Sequence, residues 1–188
     1  ENTAVGKSSL DANTTGQANT SMGSGALGAN TTASSNTAAG FNSLTANTTG
    51  AENSAVGRGS MSASTTGNNN AALGFNALAS NTTASNNTAV GSSALGANTT
   101  GAFNTSIGYN SMDANTTGTE NSAGGWNALG GNTTGSFNTA FGGAALDANT
   151  TASNNTAFGF KALTENTTAT GHVAVGFKAL EANTSGDQ

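Results

Sequence analysis

One phrase of seventeen residues is repeated along the chain without an insertion. The stretch NTAVGSSALGANTTGAF, residues 87–103, is followed at once by NTSIGYNSMDANTTGTE, residues 104–120. Such a short fixed period is typical of a solenoid, in which each unit buries its apolar side only by stacking on its neighbours. Seventeen residues are too few for a helix pair and suit a coil of short strands joined by tight turns. The repeat predicts an all-β fold, a parallel β-solenoid of eleven coils, forming a single repeat domain over residues 1–188. The coils start at Asn2, Asn19, Asn36, Asn53, Asn70, Asn87, Asn104, Asn121, Asn138, Asn155 and His172.

The composition of the chain disfavours intrinsic disorder, nucleic-acid binding and membrane insertion. Only 7% of residues are charged, and the chain contains 27 Gly but neither Pro nor Cys. A polar, repetitive chain stays disordered when it cannot bury enough apolar surface, but here the large apolar residues recur in register, which favours an ordered repeat. The net charge of −5 leaves no basic patch, so we expect no binding to nucleic acid. No apolar run approaches the length of a membrane span, so we expect no membrane insertion.

Two positions of the repeat, counted from 1 at its Asn to 17, carry the large aliphatic residues. Position 9 is always Leu or Met, and position 4 is mostly Val, Met, Leu, Ile or Phe. Strand alternation places positions 2 and 4 on one face and position 3 on the other. We expect positions 2 and 4 to face inward, since position 2 becomes Val173 in the last copy. Position 3, always Ala or Ser, is then expected to face outward against a neighbouring chain or a far wall of the same chain. The predicted core ladder consists of Val5, Leu10, Leu27, Val56, Leu78, Val90, Leu95, Ile107, Met112, Leu129, Leu146, Phe158, Leu163 and Leu180.

Two corners of the coil are indicated by small and polar residues. Position 5 is Gly in every copy, as expected where the backbone needs positive φ or leaves no room for Cβ. A second corner reads ANTTG or SNTTA, with Asn at position 12 in every copy except at Ser64. Asn tolerates left-handed backbone, and its amide can bond to the identical amide of the next coil. The predicted corner residues are Gly6, Gly91, Gly108, Asn98 and Asn115.

The segments HVAVGFKAL, residues 172–180, and NTAVG resemble the VAIG-type repeats in the heads of trimeric autotransporter adhesins. They are also similar to repeats in some phage tail fibres. The resemblance implies a left-handed parallel β-roll with three chains side by side. It also implies an extracellular, cell-surface or virion-fibre location, and host or surface glycans as partners. The seventeen-residue period and the ANTTG corner differ from the adhesin repeats.

The titratable residues do not form a catalytic pattern. His172 is the only His, and the nine carboxylates are scattered, so we expect no enzyme, no catalytic residue, no cofactor and no metal. His172 stands where other copies carry Asn, so a substituted end of a ladder is a simpler interpretation than a ligand.

Position 6 carries aromatic residues that would bind sugars or a partner chain if they faced outward, or would pack beneath a neighbouring chain or over the Gly corner. These residues are Phe41, Phe75, Tyr109, Trp126, Phe160 and Phe177.

The NTT triplets allow two further interpretations. Each is a formal N-glycosylation acceptor, although an internal amide ladder explains the same residues. These Asn are Asn13, Asn30, Asn47, Asn81, Asn98, Asn115, Asn132, Asn149 and Asn166. Ranks of Thr are also typical of ice-binding proteins, and NTAVG resembles the repeats of a grass antifreeze β-roll. The two Thr are adjacent, so in extended backbone we expect only one rank of hydroxyls to face outward.

The sequence therefore predicts a non-enzymatic extracellular structural protein, a β-solenoid segment of a self-assembling fibre or surface adhesin. The alternative is an ice-binding protein that uses Thr and Asn ladders. The repeat phase would continue from Gln188 into Glu1 or Asn2 of another molecule. We therefore expect head-to-tail stacking of the coil at Asn2 on the coil at His172 of a second copy or on further repeats, with or without a lateral trimer.

Overall fold

A computed structural model describes residues 1–184 and confirms the predicted all-β, parallel β-solenoid. Each coil contributes one three-residue strand, and no residue of 1–184 is helical. The strands pair in sequence order as one parallel sheet, and partners lie one repeat apart, as in Thr88 opposite Thr105. Positions 185–188 of the last predicted coil lie outside the described residues. The strands are β1 (Thr3–Val5), β2 (Thr20–Met22), β3 (Thr37–Ala39), β4 (Ser54–Val56), β5 (Ala71–Leu73), β6 (Thr88–Val90), β7 (Thr105–Ile107), β8 (Ser122–Gly124), β9 (Thr139–Phe141), β10 (Thr156–Phe158) and β11 (Val173–Val175).

The remainder of each coil consists of turns whose backbones are also bonded to the next coil. The N–H of Leu95 donates to the carbonyl of Ser111 at 3.0 Å, and the N–H of Thr99 donates to the carbonyl of Thr116 at 2.9 Å. Past the strand, the N–H of Gly91 donates to the carbonyl of Leu73 in the coil before it, at 2.8 Å. Inter-coil hydrogen bonds therefore hold the stack together around most of the coil, not only in the sheet.

The interior is narrow and partly polar. Positions 3 and 8 supply Ala or Ser, and position 9 supplies the large apolar side chain. Leu78, Leu95 and Met112 are fully buried in successive coils, each donating its N–H to position 8 of the next coil. The largest fully buried apolar side chains are Leu27, Leu44, Met61, Leu78, Leu95, Met112, Leu129, Leu146 and Leu163.

The orientation predicted for the strand was wrong. Val5, Val56, Ile107 and Phe158 lie on the outside, with Ile107 46% exposed, and Val90 is half-buried. The physical reason is the Asn at position 1, whose amide is used inside the coil, so alternation turns positions 2 and 4 outward and position 3 inward.

The small residues of position 3 lie against the opposite wall of their own coil. In the second coil the Ser21 hydroxyl donates to the Ala26 carbonyl at 2.9 Å. The restriction to Ala or Ser thus reflects a narrow interior, and not an outward surface pressed against a neighbour.

The outermost coils bury position 9 less completely. Leu10 is partly buried and packs against the core, whereas Leu180 remains 49% exposed. Position 9 is also the site of an unusual backbone, since Leu95 has φ 54° and every other residue of this position is likewise left-handed. A non-Gly residue pays about 1–2 kcal/mol for that conformation, and burial of a Leu side chain returns about 1.5–3 kcal/mol.

The two predicted corners differ in backbone conformation. Gly6, Gly91 and Gly108 have φ of 128°, 134° and 139°, as predicted for position 5. A Cβ at Gly91 would also collide with the carbonyl group of Gly108 in the next coil. Asn98 and Asn115 do not adopt left-handed backbone.

Candidate functional surface

One side of the solenoid exposes large apolar side chains in almost every coil, and we call it the outer sheet face. It consists of positions 2 and 4 of the strands, flanked by position 17 on one side and position 6 on the other. Its large exposed apolar residues are Val5, Met22, Phe41, Val56, Leu73, Phe75, Phe103, Ile107, Tyr109, Trp126, Phe137, Phe141, Phe158, Phe160, Val173, Val175 and Phe177. Exposed apolar side chains along so many successive coils are unusual for a monomer.

An arginine lies between two rings in the first half of this face. The guanidinium carbon of Arg58 lies 6.0 Å from the ring centroid of Phe41 and 5.6 Å from that of Phe75. These side chains line a shallow cavity of about 190 Å³ together with Asn42 and Asn76. Both rings attract the cation, and no carboxylate of the described residues pairs with it.

Aromatic rings stack along the second half of the face. The centroids of Phe141 and Phe158 lie 5.3 Å apart in the position 4 column, and those of Phe160 and Phe177 lie 5.7 Å apart in the position 6 column. The predicted aromatic column at position 6 is therefore exposed and faces outward.

Two glycines interrupt these columns for a steric reason. A Cβ at Gly124 would lie 2.6 Å from the ring of Phe141, and a Cβ at Gly143 would collide with the indole of Trp126. The rings of adjacent coils therefore occupy the space that a side chain would need. Trp126 reaches across Gly143 to Phe160, with ring centroids 6.4 Å apart.

A different part of the surface carries hydroxyl groups. At position 13 each hydroxyl donates to the carbonyl of the same position in the next coil, as from Thr99 to Thr116 at 3.0 Å. At position 14 the Thr side chains are exposed from Thr15 to Thr168 and form no hydrogen bond within the described residues. Position 13 is half-buried in most coils, so position 14 forms the single rank of unbonded hydroxyls that faces solvent, as expected, although alternation is not the cause. The backbone here is bent rather than extended, and alternation does not apply.

The side-chain amides of the Asn residues at positions 1 and 12 form hydrogen-bonded columns inside the coils. The Asn98 Nδ2 donates to the Asn81 Oδ1 at 3.1 Å and to the Gly101 carbonyl at 2.9 Å, and its Oδ1 accepts from Asn115 Nδ2 at 2.9 Å. The same Gly101 carbonyl accepts from Asn87 Nδ2, at position 1, at 3.0 Å. Two Asn columns thus meet at one carbonyl in nine of the ten coils that lie wholly within residues 1–184, the exception being the coil of Ser64, where Asn53 alone bonds the Gly67 carbonyl.

The nine proposed glycan acceptors are these same position 12 residues, and their accessibility is corrected by the structure. Asn30, Asn47, Asn81, Asn98, Asn115, Asn132, Asn149 and Asn166 are fully buried, and Asn13 is half-buried. A glycan on the Asn98 Nδ2 would replace a hydrogen that is used inside the coil and would have no route to solvent. The folded coil is therefore incompatible with glycans at the buried positions.

The position 12 ladder is interrupted at Ser64 and again at its C-terminal end, where the Asn166 Oδ1 and the Asn183 Nδ2 are buried without a partner. Ser64 stands in place of Asn, and its hydroxyl and the Asn47 Oδ1 are both buried without a hydrogen-bond partner. The Asn81 Nδ2 keeps only its bond to the Ala84 carbonyl, at 3.1 Å.

The remaining titratable groups do not assemble into a site. His172 is buried in the last coil, where its backbone N–H donates to the Asn155 Oδ1 at 2.9 Å. Burial raises the pKa of Asp113 and of Asp147, and the charge of Asp113 raises the pKa of Asp147 further while Lys161 lowers it. Within residues 1–184, no three His, Cys, Asp or Glu side chains come together in a way that would hold a metal ion.

The comparisons with known proteins give no relative. No protein-family model, no curated protein and no solved structure matches this chain. None of the described residues forms a helix that could cross a membrane. The surface chemistry of the coil is therefore the basis for any functional conclusion.

Proposed function

We propose that this chain is a non-enzymatic structural protein, a β-solenoid segment of an extracellular fibre or surface adhesin that assembles with copies of itself. The observation that carries the proposal is the outer sheet face, which exposes aliphatic and aromatic side chains in almost every coil. A repeat scaffold with such a face gains stability when a second surface covers it. The scarcity of charge supports this, because few like charges would oppose lateral contact.

Stacking on further coils is the second part of the proposal. Toward the next coil, each coil donates the N–H groups of positions 2, 9 and 11 and accepts at the carbonyls of positions 4 and 6, as Leu95 and Leu73 illustrate. A coil of another copy, or a further repeat, presents the complementary groups. Surface glycans remain proposed ligands of the adhesin form, for which the exposed rings supply stacking faces.

Sedimentation of the purified chain over a range of concentrations, with negative-stain microscopy of the same samples, tests the proposal. We expect concentration-dependent oligomers or filaments. A monodisperse monomer at all concentrations, with no filaments, would contradict it. Substituting Ile107→Lys on the outer sheet face should reduce assembly, whereas Glu165→Lys, away from that face, should not.

Ice binding is the second candidate function, and the Thr columns favour it. Exposed positions 6, 10, 16 and 17 vary widely between coils, whereas position 14 is Thr in every described coil. The fold gives no hydrogen bond to these hydroxyls, so their constancy indicates a regular external ligand. Thermal hysteresis of the chain, compared with a Thr66→Lys, Thr100→Lys, Thr134→Lys variant, tests this candidate. Absence of hysteresis in the unmodified chain would refute it.

A further inference from the structure

The outer sheet face has an order of charges that fits a second copy of the same chain. Each strand, with its flanking residues, forms a row across the face, running from position 17 through positions 2 and 4 to position 6. The fourth row is Glu52, Ser54, Val56 and Arg58, and the first row is likewise acidic at Glu1 and basic at its other end. Every charged residue of the position 17 column is acidic, and every charged residue of the position 6 column is basic.

These charges have no partner of opposite sign among the described residues. Glu52 and Arg58 are exposed, and neither forms an ion pair within residues 1–184. Six residue steps separate them, which is up to about 20 Å along an extended row. The fold therefore does not explain why both basic residues of the face stand in rows that begin with Glu.

We infer that two copies pack outer face to outer face, parallel and in register, about a twofold axis that runs along the stacking direction. Such a rotation keeps each coil at its height and reverses the row, so position 17 faces position 6 of the partner and position 2 faces position 4. Glu52 then faces the partner's Arg58, and Arg58 faces the partner's Glu52. The interface is isologous, with each contact occurring twice.

The opposite arrangement does not use these charges. An axis along the strands would make the two solenoids antiparallel and would place each flanking column on the same column of the partner. Acidic residues would then approach only the acidic column, and basic residues only the basic column. Parallel pairing alone brings opposite charges together.

Size and shape support the same pairing. Strands about 4.8 Å apart and rows of up to about 20 Å give a face of roughly 1,000 Å² on each copy, above the about 800 Å² per partner of a standard interface. Small residues lie opposite rings in two of the rows, where Ser35 precedes Phe41 and Gly171 precedes Phe177, whereas in the seventh row Phe103 faces the partner's Tyr109.

The inference rests on the proposed self-assembly and names its partner and geometry. The test measures the dimer dissociation constant by sedimentation for Glu52→Arg, Arg58→Glu, the double exchange, and the control Glu165→Arg, which makes the same charge change away from the face. Each single reversal places like charges together twice, and we expect the dimer dissociation constant to rise about tenfold or more. The double exchange restores opposite charges and should return the dissociation constant to within about threefold of the unmodified chain.

Cross-linking checks the register, since the chain has no Cys of its own. Chains with Thr20→Cys mixed with chains with Met22→Cys should form covalent dimers under mild oxidation, because positions 2 and 4 of one row face each other. Cross-linking of Thr20→Cys to Thr156→Cys instead would show antiparallel packing, which places position 2 of the second row on position 2 of the tenth, and would overturn the inference.

Two outcomes separate this inference from the proposed function. Oligomers that form but respond to the single reversals no more than to the control, or that sediment as trimers, overturn the twofold pairing and leave self-assembly standing. A chain that remains monomeric at every concentration overturns both.

Discussion

Replacing Ser64 by Asn should stabilise the chain, because it repairs the rung of the position 12 ladder that Ser64 interrupts within the stack. In a complete rung, Asn98 donates to Asn81 and to the Gly101 carbonyl and accepts from Asn115, three hydrogen bonds of 2.9–3.1 Å. At Ser64 the hydroxyl and the Asn47 Oδ1 are buried without partners. The backbone already has the required turn, since the Ser64 N–H donates to the Met61 carbonyl at 3.1 Å, as Asn98 does to Leu95 at 3.2 Å.

The expected gain follows from counting those bonds. Three net hydrogen bonds contribute about 0.5–1.5 kcal/mol each, and fixing the Asn side chain costs up to about 1 kcal/mol. We expect a gain of roughly 2 kcal/mol in the free energy of unfolding, or a rise of about 4–8 °C in Tm for a chain of this size.

Urea unfolding followed by circular dichroism measures the gain, with the slope of the transition unchanged. The matched control is Asn98→Ser, which creates the same defect in an intact ladder and should lose a similar amount. A Ser64→Asn variant that is no more stable than the unmodified chain, together with an Asn98→Ser variant that loses nothing, would refute the ladder energetics.

The other predictions concern the core, a corner and a carboxylate. Leu95→Asp buries an unpaired charge in the narrow interior and should prevent folding or cost several kcal/mol, about 3 or more; a soluble variant with an unchanged urea midpoint would contradict the assignment. Gly91→Ala places a methyl group against the Gly108 carbonyl in a left-handed corner and should cost about 1–3 kcal/mol in urea unfolding, whereas the control Ala94→Gly should cost about 1 kcal/mol or less at its turn. Asp147→Asn should stabilise the chain at neutral pH, because a raised folded-state pKa means that stability falls as pH rises through it. Below the ordinary pKa of Asp the gain should vanish, and an equal gain at all pH values would show that charge is not its cause.

The seventeen-residue period sufficed to predict the fold. A chain that repeats an aliphatic residue, an invariant glycine and an asparagine at this period can bury the first, turn at the second and hydrogen-bond the third by stacking its coils. The position 9 Leu and Met were assigned to the interior on their constancy, and Leu95 and its equivalents are buried there. The left-handed backbone at Leu95 was not foreseen, because Leu has no preference for that conformation and only the inter-coil hydrogen bonds impose it.

The facing of the strand could not be read from alternation alone. Alternation fixes which positions share a face and not which face is inside. Val56 and Ile107 were placed inside because they are apolar, yet the coil needs the adjacent Asn53 and Asn104 inside to complete its hydrogen bonds. The better signal was constancy: position 1 is Asn in ten of eleven copies, whereas position 4 ranges from Gly to Phe.

This coil reverses the usual placement of polar and apolar groups, and the reversal bears on function. Its interior holds Ala, Leu and amides because the walls lie too close for a ring, as the contact of Ser21 with Ala26 across the coil illustrates. All aromatic side chains among the described residues consequently lie outside. An exposed ring contributes little to the stability of its own coil, so the gain from rings such as Phe177, 73% exposed, comes only when another surface covers them. A chain that buries its Leu, Ala and amide groups and leaves its aromatic rings outside would thus gain further free energy by association, as the proposed self-assembly requires. For that reason we place the function of this chain in what its outer sheet face contacts.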